Sequence, residues 1–313
     1  MNLYVHFPFC RRKCAYCALY SRVGVGETER NAYVENLVER ARGKYATVYF
    51  GGGSPALCDL RPLLRAIEAE EFTVELHPLD VTDELLGTLA DGGVNRISMG
   101  VQSMDDAVLA DMGRMYTFAQ AAKAFAAVKR RFENAGVDII VGYPKSEAEN
   151  WSQLADWGLT HCSVYALENV RGLKDAVDDE RTMDRIRAAE AALGEMGLKR
   201  YEISNYALPG YECRHNLAVW RGEDYLGLGE GAYGRIGLMR TPSGERLSSK
   251  RDLRERTMFR LRTREGLDAT KFPEWREALA LHCKTGFLTN NGEVYRLTER
   301  GAEVCDAILA DLV

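Results

Sequence analysis

The sequence has no apolar run long enough to cross a bilayer, and its start lacks the charged, apolar and cleavage-site pattern of a secretory signal. It also has no excess of basic charge. Its 41 Lys and Arg stand against 46 Asp and Glu, and the net charge of -5 argues against nucleic acid as a partner. Eight cysteines in 313 residues are too few for a disulfide-stapled mini-domain. We therefore expect a cytoplasmic protein without a transmembrane segment.

The first two thirds of the chain alternate between two kinds of segment. Apolar runs rich in β-branched and aromatic residues are Leu3–Phe9, Thr47–Phe50, Phe72–Leu76, Arg96–Val101, Val137–Tyr143 and Cys162–Leu167. Apolar residues at helical spacing occur in Glu29–Arg42, Asp59–Glu70, Thr82–Asp91, Thr117–Asn134, Glu147–Trp157 and Asp178–Met196. Most of the apolar runs lack clean alternation, which is typical of strands buried on both faces. Six strand–helix units predict an α/β fold, an open (β/α)6 partial TIM barrel.

The end of the chain follows a different pattern. Glu274–Cys283 predicts a helix, the segments on either side of Asn290-Asn291-Gly292 predict a hairpin, and Glu299–Leu312 predicts a last helix. This order indicates a small α+β winged-helix-like module, and a packing role is favoured because the segment is not strongly basic. We assign residues 1–235 to the barrel and its extension, and residues 236–313 to this module.

Three cysteines stand close together directly after the first predicted strand. Cys10, Cys14 and Cys17 form C-x3-C-x2-C, a spacing that lets one loop fold three thiolates around an iron–sulfur cluster. Three ligands on a four-iron cluster leave one iron open. The alternative is a structural zinc ion, which needs a fourth ligand such as His6 or Cys58.

A glycine-rich turn, Gly51-Gly52-Gly53-Ser54-Pro55, follows the second predicted strand. Glycines lack a Cβ, so backbone can approach a ligand closely there. Together with C-x3-C-x2-C and the aromatic Tyr16 before the last cysteine, this turn resembles the radical S-adenosylmethionine (SAM) superfamily. The resemblance implies a [4Fe–4S] cluster on the three cysteines and SAM at the open iron. It also implies that an electron from the reduced cluster cleaves SAM to methionine and a 5′-deoxyadenosyl radical.

Within that superfamily, six motifs in order resemble the oxygen-independent coproporphyrinogen III oxidase family. They begin at Tyr4, Tyr49, Arg96, Gly113, Val137 and Tyr201. By that resemblance, the residues that contact SAM are Tyr4, Tyr16, Gly52, Gly53, Ser54, Glu75, Gln102, Arg114 and Asp138. Carboxylates suit the hydroxyls and cations of SAM, and an arginine suits its carboxylate. Glu75 and Asp138 are alternatively solvated or capping carboxylates, and Arg114 is alternatively a surface salt-bridge residue.

The resemblance divides at Leu19. The decarboxylating enzymes of the family carry a fourth cysteine at this position, and they carry an N-terminal extension where this chain begins at its first strand. Both differences favour the HemW-type branch, which resembles the oxidase and acts as a heme chaperone. The alternative is an oxygen-independent coproporphyrinogen III oxidase, or another radical SAM enzyme that acts on a tetrapyrrole.

The HemW-type branch also carries a His-Asn-x-x-Tyr-Trp motif that is linked to heme. The corresponding residues are His215-Asn216-Leu217-Ala218-Val219-Trp220, in which Val219 replaces the tyrosine. An imidazole is a good axial ligand for heme iron, so His215 is a candidate heme ligand. Cys213 is a weaker candidate for a second ligand. Alternatively, His215 forms a structural hydrogen bond and Cys213 is a small buried residue.

The partners implied by this resemblance are heme or another tetrapyrrole, a flavodoxin- or ferredoxin-type electron donor, and a protein that receives heme. Arg11-Arg12-Lys13 lies within the cysteine motif and is a candidate docking segment for an acidic electron donor.

Overall fold

We describe the protein from a computed structural model, which covers residues 1–144, 146, 149–167 and 179–312. The strands are β1 (Asn2–Phe7), β2 (Phe9–Cys10), β3 (Arg22–Val23), β4 (Gly43–Gly52), β5 (Ile67–Leu76), β6 (Arg96–Gln102), β7 (Asn134–Val141), β8 (His161–Ala166), β9 (Lys199–Arg200), β10 (Asn205–Ala207), β11 (Tyr225–Leu228), β12 (Gly234–Ile236), β13 (Met239–Thr241), β14 (Leu267–Asp268), β15 (Leu288–Asn290) and β16 (Val294–Leu297). The α-helices are α1 (Glu27–Ala41), α2 (Arg61–Ala66), α3 (Asp83–Asp91), α4 (Asp106–Asp111), α5 (Phe118–Lys129), α6 (Asp179–Glu195), α7 (Arg214–Trp220), α8 (Ser249–Phe259), α9 (Arg276–Lys284), α10 (Glu299–Glu303) and α11 (Cys305–Ala310).

The main sheet has eleven strands in the order β13-β12-β11-β1-β4-β5-β6-β7-β8-β10-β9. The six strands from β1 to β8 in this order are parallel, which confirms the predicted open barrel. Strand β11 extends the parallel sheet beyond β1, and antiparallel strands close both edges. These edge strands come from the glycine- and tyrosine-rich segment 199–241, where the sequence pattern is less regular.

Side chains alternate between the two faces of each barrel strand, as the pleat requires. On β1, Leu3, Val5 and Phe7 belong to the main hydrophobic core that the helices cover. Tyr4 and His6 point the other way, into the concave side of the sheet. The concave side is therefore lined largely by polar and aromatic residues, which is the feature that positions the site.

Three helices predicted in the barrel differ from the structure. The predicted helix Asp59–Glu70 is limited to Arg61–Ala66, because Ile67 already begins strand β5, whose first residues pair with β4. The helix predicted over Thr117–Asn134 ends at Lys129, since Asn134 begins β7 and pairs with Arg96. The segment Glu147–Trp157 contains a 3-10 helix at Trp151–Trp157. Glu147 and Asp178, the predicted first residues of two helices, lie outside the described residues.

The C-terminal part contains the predicted order of helix, hairpin and helix, but the last predicted helix, Glu299–Leu312, is divided at Val304 into α10 and α11. Strands β15 and β16 form the hairpin and β14 adds a third strand, while α9, α10 and α11 surround it. Its own core includes Leu279, Leu288 and Ile308, and the Trp275 indole donates to the carbonyl of Leu312 at 2.9 Å. The winged-helix-like description stays a prediction, as does the boundary at residue 235, which falls inside β12. Among the described helices, none combines the length and hydrophobicity that a membrane span requires.

Candidate functional site

A cavity of about 500 Å³ opens at the carboxyl ends of the barrel strands. We call it the cysteine cavity. Nearly all of the residues predicted for the cluster and SAM line it: Tyr4, Cys10, Cys14, Tyr16, Cys17, Gly52, Gly53, Glu75, Gln102, Arg114 and Asp138. Its volume is within the range of small-molecule sites, about 300–1,000 Å³.

Cys10 ends strand β2, and Cys14 and Cys17 follow on the segment that leads to β3, which we call the cysteine loop. Within it, Ala15 N–H donates to the carbonyl of Met112 at 3.2 Å, and the Lys13 ammonium donates to the hydroxyl of Ser21 at 2.6 Å. Burial raises the pKa of the Cys10 thiol, and the neighbouring Cys17 and Cys14 raise it further. All three cysteines line the cysteine cavity.

This donor set fits a cluster better than a single zinc ion. Among the described residues, no three His, Cys, Asp or Glu side chains converge as ligands of one metal ion must. Neither candidate for a fourth zinc ligand lines the cysteine cavity. The His6 ring nitrogens lie 3.0 Å from the Tyr4 hydroxyl and 2.9 Å from the Tyr20 carbonyl, and Cys58 lies outside the cysteine cavity. A cluster suits the arrangement because each thiolate binds a different iron.

The glycine turn presses against the start of the cysteine loop. A Cβ at Gly53 would lie 2.5 Å from the carbonyl oxygen of Phe9 and 2.9 Å from Cys10 Sγ, so only glycine fits there. The N–H groups of Gly52 and Gly53 donate to Glu75 and Phe7. Because these N–H groups are already engaged, the turn can offer a ligand only room and carbonyl oxygens, which accept hydrogen bonds. These suit an ammonium better than a carboxylate.

Two carboxyl groups line the cavity from neighbouring parts of the concave face. Glu75 accepts from the Tyr49 hydroxyl at 2.8 Å, and burial together with Asp138 raises its pKa to about 7. Asp138 accepts from Ser98 at 3.0 Å and from Ser163, and burial raises its pKa. Since like charges are costly at close range in a buried site, the pair favours a cationic ligand, which SAM is.

Arg114 is not the surface salt-bridge residue of the alternative interpretation. Its Nε is buried and has no hydrogen-bond partner among the described residues, and its guanidinium stands over the rings of Tyr16 and Tyr116 at 5.7 and 5.6 Å. Gln102 lies beside it at a β-bulge and has a φ of 69°, a left-handed conformation that costs energy for a residue other than glycine. An unpaired buried donor and a strained residue at one cavity are both typical of a binding site.

Ser54 is the one predicted SAM residue outside this lining. Its hydroxyl donates to Asp80, which also accepts from Arg11 at 2.6 Å. Its own N–H donates to the carbonyl of Phe9 at 2.7 Å. Ser54 therefore supports the turn and the cysteine loop, and a contact from Ser54 to SAM stays a prediction.

A second cavity of about 610 Å³ adjoins the first, and we call it the His215 cavity. Tyr4, Ala18 and Leu19 line both cavities, so they form the wall between them. The remaining lining residues are His6, Tyr20, His215, Val219, Tyr225, Gly231 and Tyr233. These side chains are aromatic or apolar, apart from the two imidazoles, and they suit a flat aromatic ligand.

His215 is buried on the short helix α7 and is fixed through both its backbone and its ring. Its N–H donates to a carboxylate oxygen of Glu71 at 2.9 Å, and its Nδ1 lies 2.8 Å from the Thr47 hydroxyl. Burial, and after it the Arg96 guanidinium, lowers the pKa of His215 to about 3, so the ring is neutral at pH 7. His215 therefore both forms structural hydrogen bonds and lines a cavity, so the two interpretations of this residue do not exclude each other.

The other two residues considered for heme lie elsewhere. Cys213 is fully buried beside Glu71, its pKa is raised to about 12 by burial, and it lines neither cavity. Trp220 packs under the guanidinium of Arg262, 5.0 Å from the ring centroid, and faces the C-terminal module. Of the motif residues, His215 and Val219 thus line the His215 cavity.

Four hydrogen-bond partners of the predicted site residues are not indicated by the sequence: Tyr49, Ser98, Ser163 and Thr47. Each occupies an inward position of a barrel strand. Their signal was a polar residue at every second position, which is easily overlooked in strands that are buried on both faces.

Comparison with known proteins agrees with this geometry. The radical SAM superfamily model matches residues 4–158. Heme chaperone HemW of Lactococcus lactis is 30% identical over 97% of this chain and 94% of that protein. Radical S-adenosyl methionine domain-containing protein 1, mitochondrial, of Mus musculus is 31% identical over 90% of this chain and 73% of that protein. Coproporphyrinogen III oxidase (HemN) from Escherichia coli, a solved structure, superposes with a TM-score of 0.82 at 21% identity, over 99% of this chain and 89% of that one.

The fold and the cysteine cavity define a radical SAM protein, a class characterised by a [4Fe–4S] cluster and SAM. The chain belongs to this superfamily and, within it, to the family of the HemW proteins.

Proposed function

We propose that the chain is a HemW-like heme-binding protein that carries a [4Fe–4S] cluster on Cys10, Cys14 and Cys17. The observation that carries this proposal is the pair of adjoining cavities, one lined by the three cysteines and the other by a neutral, buried His215. A flat aromatic ligand and a cationic cofactor can be held side by side in this arrangement.

In the cysteine cavity, the protein's own residues bind and orient. The cluster and SAM, when bound, supply one-electron chemistry. Glu75 and Asp138 would face the cationic groups of SAM, and Arg114 would pair with its carboxylate through a donor that none of the described residues engages. Tyr4 and Tyr16 would close the apolar sides of the pocket.

In the His215 cavity, the imidazole would bind the heme iron while aromatic rings cover the macrocycle. Tyr225 stands edge-on to the imidazole with ring centroids 6.4 Å apart, and Tyr49 lies at 5.4 Å. Val219 lines the cavity where the motif of the branch has tyrosine, so the contact at this point would be apolar.

The alternative function is oxidation of coproporphyrinogen III. The fold is shared with HemN and does not separate the two functions, whereas Leu19 does. This residue is half exposed and lies in the wall between the cavities, where a fourth cysteine would otherwise stand. We therefore favour heme binding.

The deciding experiment reconstitutes the chain anaerobically with iron and sulfide. It then measures iron content, SAM cleavage after reduction, the Soret shift on hemin titration, and loss of carboxylate from coproporphyrinogen III. We expect about four irons per chain, a Soret shift and no decarboxylation. Decarboxylation without a Soret shift would instead establish the oxidase.

Matched variants separate the two sites. Replacing Cys10, Cys14 and Cys17 by serine should abolish iron uptake, whereas Cys283→Ser, in the C-terminal module, should not. His215→Ala should weaken hemin binding, whereas His282→Ala, at a histidine that pairs with Asp311 at 3.0 Å, should leave it unchanged. Iron uptake by the triple serine variant would disprove the cluster assignment.

We also infer a cytoplasmic location, a heme-receiving partner and an acidic electron donor of the flavodoxin or ferredoxin type. For the donor, Arg12 is the basic residue of its segment that stands exposed without an ion-pair partner among the described residues. Arg11 pairs with Asp80, and Lys13 binds within the cysteine loop. Docking therefore depends on Arg12 more than on its two neighbours.

A further inference from the structure

A directional chain of hydrogen bonds runs from the edge of the sheet to the ring of His215. The Asn2 amide nitrogen donates to the carbonyl oxygen of Asp224 at 3.1 Å and to the Glu223 carboxylate at 3.3 Å. Both of these partners can only accept, so the orientation of the Asn2 amide is fixed, with its carbonyl oxygen facing Thr47.

Because Asn2 is oriented in this way, Thr47 also has a fixed hydrogen-bond direction. Its hydroxyl carries one proton, which it donates to the Asn2 carbonyl oxygen at 2.9 Å. The hydroxyl oxygen of Thr47 lies 2.8 Å from His215 Nδ1, and because its proton is used on Asn2 it can only accept there. Nδ1 must therefore carry the proton of the neutral imidazole.

We propose that Thr47, oriented by Asn2, is a positioning residue that holds His215 as the Nδ1–H tautomer and leaves a lone pair on Nε2. Among the described residues, none forms a hydrogen bond with Nε2. A histidine that binds a metal through Nε2 must carry its proton on Nδ1. The hydrogen-bond partner of one ring nitrogen decides which nitrogen is protonated, so Thr47 holds His215 in this tautomer.

The placement of the two partners explains why the constraint holds. Asn2 and Thr47 are paired in register on β1 and β4, and both are 2% exposed, so water does not compete for their hydrogen bonds. Glu71, the register partner of Thr47 on β5, fixes the backbone of His215. His215 is therefore held by side chains of the three adjacent strands β1, β4 and β5. Thr47 and Asn2 hold its ring, and Glu71 holds its backbone.

The ligand role of Nε2 rests on the proposed heme function, whereas the tautomer does not. The first test is therefore made on the chain without heme. Two-dimensional 1H–15N spectra of protein labelled on its five histidines give the tautomer of each ring, and His215→Ala identifies the signal of His215. We expect Nδ1–H for His215 in the unsubstituted chain.

Variants then test the cause. Thr47→Val keeps the shape of the side chain and removes the hydroxyl, so the His215 signal should move to Nε2–H or to a mixture, while Thr47→Ser should keep Nδ1–H. Asn2→Ala should also give a mixture, because the Thr47 hydroxyl is then free to donate to Nδ1. Thr160→Val removes another buried hydroxyl, one that bonds Ala135, and should leave the His215 signal unchanged.

Hemin titration of the same proteins gives the functional result. Thr47→Val should weaken hemin affinity about 10- to 100-fold, the usual effect of losing the partner of a metal-binding histidine, and Thr47→Ser should restore it. An Nε2–H signal in the unsubstituted chain, or an unchanged Nδ1–H signal in Thr47→Val, would overturn the proposal. If no variant and no unsubstituted protein bound hemin, the heme function would fail while the spectra still decided the role of Thr47.

Discussion

One carboxylate oxygen of Glu71 accepts the backbone N–H of His215 at 2.9 Å, and the other oxygen accepts that of Arg214 at 2.9 Å. Glu71 therefore caps helix α7 from strand β5 and joins it to the floor of the barrel. The Arg96 guanidinium, also buried, lies close enough to exert an electrostatic influence on this carboxylate and on His215.

Replacing this cap should destabilise the fold. Glu71→Gln keeps one acceptor but removes the charge, so we expect the free energy of unfolding to fall by about 2 kcal/mol, as for the loss of charged buried hydrogen bonds. Urea denaturation followed by circular dichroism measures it. Glu70→Gln is the control, because Glu70 pairs with Arg214 at the surface and its loss should cost less than about 1 kcal/mol. Equal effects of the two variants would contradict the capping role.

The stability of the metal-free chain should depend on the ionisation of Glu75. Its pKa is raised from 4.5 to about 7 by burial and by Asp138, so the folded state holds this proton more tightly than the unfolded state does. The stabilisation is complete below about pH 4.5 and is lost as the pH rises to 7, at up to about 1.4 kcal/mol per pH unit.

Glu75→Gln cannot ionise and should lack this contribution. The difference in unfolding free energy between the two proteins, measured by urea denaturation at intervals from pH 5 to pH 8, should shift in favour of the variant up to pH 7 and then level off. A difference that stays constant with pH would show that the carboxyl is not shielded from water.

Gly53 should tolerate no side chain. In Gly53→Ala, the new Cβ would lie 2.5 Å from the Phe9 carbonyl oxygen and 2.8 Å from that of Phe7, both of them backbone atoms that anchor the cysteine loop. We expect a loss of about 1–3 kcal/mol and reduced iron uptake on reconstitution. Gly194→Ala is the matched control. Inside helix α6 its Cβ would meet no atom of the described residues within 4 Å, so it should stabilise the chain by about 0.5–1 kcal/mol. Full iron uptake by Gly53→Ala would refute the packing argument.

Arg114→Lys should weaken SAM binding about tenfold, because lysine cannot reproduce the planar fork that pairs with a carboxylate. Equilibrium dialysis of labelled SAM against the reconstituted protein measures this. Arg12→Lys is the control on the exposed side of the same loop region, and its SAM affinity should match that of the unsubstituted chain. If both variants bound SAM equally well, Arg114 would have no role in recognising the cofactor.

The sequence predicts the parallel barrel, and it names many of the residues that line the cysteine cavity, because both depend on local signals. Cys10, Cys14 and Cys17 are close in sequence, and Glu75 and Asp138 stand inside apolar strands, where an unpaired charge is costly. The thiolates, the carboxylates and the glycine turn meet because the carboxyl ends of parallel strands share one edge.

Contacts between distant segments were beyond sequence analysis. Nothing in the pattern around Thr47 indicates that it meets His215, since 168 residues separate them and only the barrel brings them together. The predicted helix Asp59–Glu70 ends early for a similar reason. Ile67 pairs with β4, and this strand pairing outweighs the helical periodicity of the sequence around it.

Strands β10 and β11 lie near opposite margins of the sheet, and residues 208–224 connect them across the open side of the barrel. This strap includes α7 and is tied to the barrel floor by Glu71 and Thr47. Without such a connection, the two edges of an open barrel could move apart to admit a bulky molecule. Because the strap joins the two margins and is bound to the barrel floor, it restricts how far the open side can widen, and the exposed side chains of Leu19, Tyr20 and Tyr233 lie at the mouth of the His215 cavity.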